Sequence, residues 1–219
     1  LVEQANEEVR DIRSAPAGTV RLSCTAAFGV MHVCHLVFAF QDRYPGILVD
    51  LSLTDEKIDL VREGIDIALR LGTLADSSMK LRPLGVSQRV LVASPEYLAA
   101  HGRPTDPAQL ADHEGVRMSN VSGSDMLVLK APGGEDFSIP FGGRLRTDHG
   151  LAAREAFLAG RGIGPAHHWL VDDLLSDGRL EVLFPDHTVP GVPLNMLIVP
   201  ERTNIKLVRL LADFLAEEI

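Results

Sequence analysis

Several absences narrow the reading before any motif is considered. The 219 residues contain only two cysteines, Cys24 and Cys34, too few for a disulfide framework. No apolar run approaches the ~18 residues needed to span a bilayer. The opening LVEQANEEVRDIRS is charged and has no apolar signal core, so secretion is not expected. Positive charge is also scarce: Lys and Arg total 21 against 30 Asp and Glu, a formal net charge of −9. Gripping nucleic acid takes Lys and Arg to neutralise phosphates, so this polypeptide is not expected to do so by itself. Hydrophobic residues make up 46%, ordinary for a globular protein and too many for a disordered one. The length allows one large domain or two small lobes.

The first segment reads as helix. Val2, Ala5, Val9 and Ile12 form a heptad-like stripe that is already running at the first residue, with no N-cap before it. Either a longer helix is cut here or a terminal helix frays here. Ala15-Pro16-Ala17-Gly18 breaks it. Strands and helices then alternate. Thr19–Cys24, Ile47–Leu53 and Ile65–Leu71 read as strands, with helices expected over Phe28–Arg43 and Lys57–Glu63, the latter stopped by Gly64. This β-α-β-α-β order predicts a parallel sheet with helices on its faces.

Further on, a long strand is expected over Lys80–Ser94 and a helix over Pro95–His101, with Pro at its first position. Met126–Lys130 and Phe137–Phe141 flank Ala131-Pro132-Gly133-Gly134 and predict a hairpin. Strands Arg144–Thr147, Gly162–Ala166, Arg179–Phe184 and Val192–Val199 alternate with helices His149–Ala159 and Trp169–Leu175. A final helix, Thr203–Ile219, carries the stripe Leu207, Leu211, Phe214 and Leu215. Two α/β units in one chain predict two lobes.

Two long runs carry a specific resemblance. DLVREGIDIALRLGTLADSSMKLRPLG (Asp59–Gly85), followed by VLVASPEYLAAHGRP (Val90–Pro104), resembles the effector-binding domain of LysR-type transcriptional regulators. RTDHGLAAREAFLAGRGIGPAHHWLVDDLLSDGRLEVLFPD (Arg146–Asp186) resembles its second half. The match runs from Val20 to Leu215. It implies a type 2 periplasmic-binding-protein-like α/β fold, with two Rossmann-like lobes joined by two crossover strands and an effector cleft between them. Carried onto this chain, residues 1–18 are the end of a linker helix and its break. Residues 19–92 with 195–219 form lobe I, and 93–194 form lobe II. The family's N-terminal winged helix-turn-helix would lie outside the chain. The resemblance also implies a bacterial, cytoplasmic, dimeric transcription regulator, with DNA bound through that outside domain. It implies no enzyme activity, no cofactor and no membrane. A solute-binding protein of a transporter is the alternative on the same fold.

Cleft ligands in such folds meet the carboxyl ends of strands and the N-termini of helices, where unpaired N–H groups favour anions. That places Thr25, Ala26, Ala27, Thr54, Arg70 and Gly72 at the ligand from lobe I. Lobe II would contribute Ser119, Asn120, Asp148, His149, Pro165 and His167. Arg70, in IALRLG, is a charged group among apolar residues and needs a partner. It is either a bidentate clamp for an effector carboxylate or half of an internal pair with Asp66 or Asp148. Asp148 or Thr147 is expected to N-cap the following helix, and His149 at the helix start is disfavoured as a cation. Thr25, Ser119 and Asn120 have the plainer alternative of capping their own backbone.

Other features have ordinary explanations. His32 and His35 share a helix face and His167 and His168 are adjacent, but no spacing brings three or four metal ligands together. Cys24 and Cys34 read as small buried residues rather than a redox pair. Gly160-Arg161-Gly162-Ile163-Gly164 ends a helix instead of opening one, so it is not a dinucleotide fingerprint. The helix Phe28–Tyr44 is apolar nearly all round, so one face is expected on the sheet and the other on a second subunit.

Overall fold

The computed structural model describes residues 16–56, 58–72, 79–121 and 123–219. The stripe at Val2, Ala5, Val9 and Ile12 lies outside the described residues. The chain divides into two compact units. One is the chain up to Gly85 together with Leu194–Ile219; the other is Val86–Pro193.

The first unit is built on a sheet. Its strands are β1 (Gly18–Cys24), β2 (Ile47–Leu53), β3 (Ile67–Leu71) and the second half of β11 (Val189–Ile198). They lie in the order β11–β3–β1–β2. β1 is parallel to β2, with Gly18 opposite Ile47, and parallel to β3, with Leu22 opposite Ile67. β11 closes the set antiparallel to β3. The alternation in TVRLSC puts Val20, Leu22 and Cys24 on one buried face, and Ser23 is fully buried on the other. A central strand covered on both faces accounts for that pattern.

Helix α1 leaves β1 through Thr25 in three contiguous segments. They are an α turn (Ala26–Phe28), a π segment (Gly29–Val33) and an α-helix (Cys34–Arg43). The π segment sits where the helix presses on β2. A Cβ on Gly29 would lie 2.2 Å from Leu53 Cδ2, so a larger residue there would displace the Leu53 side chain. Val33, Val37 and Phe40 are buried, while Val30 and Phe38 are exposed.

The C-terminal helix α5 (Lys206–Glu218) covers the sheet by burying Val208, Leu211, Ala212 and Leu215. It packs on both β1 and α1. Leu211 and Leu215 of the expected stripe are innermost, while Leu207 and Phe214 are half-buried and Val208 and Ala212 are buried in their place. The helix also starts later than expected, because Pro200–Arg202 forms a 3-10 turn first. The expected helix ending at Glu63 is instead a turn over its described residues. Asp59 closes it by accepting from the N–H groups of Val61 (3.1 Å) and Arg62 (3.2 Å), and Gly64 (φ 66°) ends it.

The second unit contains the end of β4 (Lys80–Ala93), helix α2 (Pro95–His101) and a 3-10 turn (Pro107–Asp112). Ser94 caps α2 through the Tyr97 N–H, with Pro95 at the first turn as the sequence predicts. Strands β6 (Met126–Lys130) and β7 (Asp136–Pro140) form the expected hairpin, with Lys130 opposite Asp136. Strands β5 (Val116–Met118) and β8 (Leu145–Thr147) pair in parallel. Helix α3 (Gly150–Leu158) follows β8, then β9 (Gly164–His167), α4 (His168–Ser176) and β10 (Glu181–Leu183). β9 and β10 both pair antiparallel with β4. β10 is shorter than expected: Arg179 is engaged with Asp177, and Phe184 turns to φ 50°.

The core of this unit joins Leu91, Tyr97, Leu110, Leu129, Phe141 and Ile163. Arg154 of α3 makes a two-pronged bond to Asp173 of α4, both contacts at 2.6 Å. Among the described residues no helix is long and apolar enough to cross a membrane.

In the first unit Phe40 is fully buried, with its ring 5.4 Å from Phe214 and 4.9 Å from Tyr44. Phe40→Ala is expected to lower unfolding free energy by about 3–5 kcal/mol in urea melts. A loss below about 1 kcal/mol would mean that α5 does not seal α1 as described.

Candidate functional site

In the first unit the polar groups gather at the carboxyl ends of β1, β2 and β3. The chain leaves β1 for β2 on one side, while β3 lies on the other side of β1. Such a reversal opens a crevice outside the strand ends, the usual place for a ligand in an open α/β sheet. Arg70 is the penultimate residue of β3 at this point. Its Nη2 donates to Ser23 Oγ at 2.7 Å and its Nη1 to the Leu69 carbonyl at 3.0 Å. Both acceptors are neutral. Burial lowers the guanidinium pKa, and the Asp55 carboxylate opposes that shift through space.

Asp66, one of the two partners expected of Arg70, is engaged elsewhere. It accepts from the Arg21 N–H (2.8 Å) and faces Arg202 (3.4 Å). The acid within electrostatic reach of Arg70 is Asp55, two residues past the end of β2.

Asp55 also accepts from the Ala26 N–H at 3.3 Å. A carboxylate of the chain thus already holds the first turn of α1, and Ala26 is not a free donor as expected. Thr25 occupies the N-cap position but its hydroxyl makes no cap bond. The hydroxyl is buried and engages the Cys24 thiol, with no nitrogen or oxygen partner among the described residues. Ala27 is buried. Thr54 donates its N–H to the Cys24 carbonyl (2.9 Å), and its hydroxyl accepts from the Glu56 N–H. Gly72 (φ 105°) offers its carbonyl to Asn195 Nδ2 at 3.4 Å. Asn195 lies opposite Arg70 in the β11–β3 ladder and is 8% exposed.

Ser23, Asp55 and Asn195 were not singled out from the sequence. The lone amide in the apolar run LNMLIV was the one available signal. Burial pushes the Cys24 thiol up to about 12, so it stays protonated and is a poor nucleophile.

In the second unit the predicted residues fall into two groups. Ser119 donates its N–H to the Thr147 carbonyl (2.8 Å), and Asn120 Nδ2 donates to the Asp148 carbonyl (3.1 Å). These bonds extend the β5–β8 pairing and bring Ser119, Asn120 and Asp148 together. The cap of α3 is made by neither Asp148 nor Thr147. His149 itself accepts the Leu151 N–H at Nδ1 (3.3 Å), and Thr147 Oγ1 accepts the His149 N–H (3.1 Å). The extended backbone of His149 (φ −121°, ψ 123°) aims its ring at the open turn. An imidazole accepting at Nδ1 carries its proton on Nε2.

Pro165 and His167 lie on β9, opposite Leu91 and Arg89. Ser87 Oγ lies 2.7 Å from His167 Nδ1 and accepts from Trp169 Nε1 at 2.9 Å. The imidazole stacks on Trp169, with centroids 5.3 Å apart. Arg89 has its Nε on the Pro190 carbonyl at 2.7 Å. Burial first, and the Arg89 charge second, push His167 down to about 4.

Among the described residues no group of three or more His, Cys, Asp or Glu converges to hold a metal. His32 lies tilted against Phe28, His35 meets Phe38 edge-on and His168 faces Asp172.

The fold is the α/β arrangement of periplasmic-binding-protein-like domains. The solved regulatory domain of CrgA, a LysR-type transcriptional regulator from Neisseria meningitidis, superposes with a TM-score of 0.83. It is 28% identical, over 93% of this chain and 99% of that one. The LysR substrate binding domain model matches residues 13–219, and the chain belongs to that family, the effector-binding domains of LysR-type transcriptional regulators. The HTH-type transcriptional regulator CrgA of Neisseria meningitidis serogroup C is 30% identical over 98% of this chain and 72% of its own length. An HTH-type transcriptional regulator of Xanthomonas campestris is 27% identical, and the chain spans 64% of its length.

His167 is expected to titrate near pH 4 when followed by NMR. Its depressed pKa means the folded state binds fewer protons than the unfolded state between about pH 6.5 and the folded value. Stability should therefore fall as pH drops through that window, and His167→Gln should flatten this part of the profile. An ordinary midpoint near 6.5 would contradict the buried, neutral imidazole.

Proposed function

We propose that this chain senses a small anionic organic effector on behalf of a DNA-binding transcription regulator. The observation that carries the reading is Arg70. It is a desolvated guanidinium at the reversal between β1 and β3, and among the described residues its hydrogen-bond acceptors are the neutral oxygens of Ser23 and Leu69. A cation held this way is stabilised by an anion that supplies two acceptors in its plane. Asp55 partly balances the charge and holds α1, and Thr25, Thr54 and Gly72 frame the same strand ends. Ser119, Asn120, Asp148, His149, Pro165 and His167 are proposed as the contacts from the other lobe, with the ligand between lobes as the family resemblance implies.

Binding would shift the population of domain arrangements and so the way DNA-binding domains sit on their target. DNA contact is assigned to a helix-turn-helix domain outside these residues, in keeping with the names of the relatives, and the site of action is cytoplasmic. The role is non-enzymatic and needs no cofactor. The exposed Val30 and Phe38 on α1 belong to the proposed homodimer face.

Calorimetric titration with a panel of small carboxylates tests the ligand reading. Arg70→Ala is expected to weaken the bound member at least tenfold; unchanged affinity would remove Arg70 from the site. Light scattering tests the second subunit. A dimer mass is expected, and a concentration-independent monomer would contradict it.

A further inference from the structure

Strands β5 and β8 bring two arginines together. In their parallel register Arg117 lies directly opposite Arg146, and partners in register project from the same face of the sheet. Like charges placed this way repel. Neither guanidinium has an ion-pair partner among the described residues. Arg146 is exposed, whereas Arg117 is half-buried, and its Nε is buried with no hydrogen-bond partner among the described residues. Leaving a buried charged donor unmet costs free energy. The neighbouring Arg144 differs, because Glu114 takes both its N–H and its guanidinium.

The two arginines line one pocket of about 410 Å³ together with Ser119, Asn120, Ser124 and Asp125. The pocket opens at the carboxyl ends of two parallel strands, just before α3. Asn120 is fixed there by its bond to the Asp148 carbonyl.

We propose that Arg117 and Arg146 form a binding site for a small oxyanion, a carboxylate or a phosphate. The anion would accept from the Arg117 and Arg146 side chains that line the pocket and cancel the repulsion between the two cations. Two planar guanidinium groups suit the geometry of either oxyanion, and the Ser119 and Ser124 hydroxyls add neutral donors. The Asp125 carboxylate disfavours a second negative group on its side, so the ligand presents a hydroxyl or amino group there. The inference rests on the small-anion reading of Ser119 and Asn120 but not on Arg70, so the two fail separately.

The test uses the full chain carrying Arg70→Ala, which removes the other proposed anion contact, with Arg70→Lys as substitute if that variant does not fold. Malonate and inorganic phosphate are titrated by calorimetry at constant ionic strength. One of them is expected to bind with single-site stoichiometry. Affinity should fall at least tenfold on adding Arg117→Gln or Arg146→Gln, and should be unchanged by Arg144→Gln. The tighter of the two oxyanions assigns the ligand to carboxylates or to phosphates. Without ligand, Arg146→Gln should raise the melting temperature, because it relieves the repulsion; a purely structural arginine would lower it. Failure of both oxyanions to bind, unchanged affinity in the glutamine variants, or a lowered melting temperature for Arg146→Gln would each overturn the proposal.

Discussion

Arg70 lies near the end of a strand among apolar neighbours, and a guanidinium there must keep its donors occupied or its burial costs more than the strand can offset. The surrounding unit meets that demand. β1 supplies Ser23 from its fully buried polar position, β3 supplies its own carbonyl at Leu69, and β2 delivers Asp55 within electrostatic reach. The order β11–β3–β1–β2 is what lets three separate strands serve one side chain. With β1 at an edge, Ser23 and Asp55 could not flank the same point.

The same demand shapes what lies next to it. Asp55 is tied to the first turn of α1, so the carboxylate that holds the helix start also lies within electrostatic reach of the cation. Helix α1 runs as a π segment from Gly29, which packs against the Leu53 side chain of β2. π segments recur at functional sites, and this one begins four residues after the Thr25 cap. The C-terminal helix seals the opposite end of α1 through Phe40 and Phe214, so the strand ends stay open for a ligand while the core stays closed. In the second unit, His167 is kept neutral by burial among Ser87, Trp169 and Arg89. The recurring device is a polar group desolvated by the fold and given neutral partners.

Periodic segments could be read from the sequence. The alternation of TVRLSC, the ILVDLSL strand, the Ser94-Pro95 helix start and the Ala131–Gly134 hairpin all reappear in the structure. Misreadings fell where a single side chain or proline overrode the pattern. Asp59 and Gly64 close a turn where a helix was expected, Pro200 delays the last helix, and His149 caps a helix assigned to Asp148 or Thr147. The candidate site was half legible. Arg70 stood out because one charge in IALRLG is unusual. Asp55, Ser23 and Asn195 did not, because strand register brings them to it and spacing along the chain does not show register. The pairing of Arg117 with Arg146 was hidden for the same reason.

The central claim is that the Arg70 guanidinium meets the effector. Side-chain NMR of the arginine Nε–H groups during titration with a bound carboxylate tests it most directly. The Arg70 resonance should move and exchange more slowly with solvent, while that of Arg144, already held by Glu114, should stay in place. A carboxylate that binds and leaves the Arg70 resonance unmoved would contradict the account.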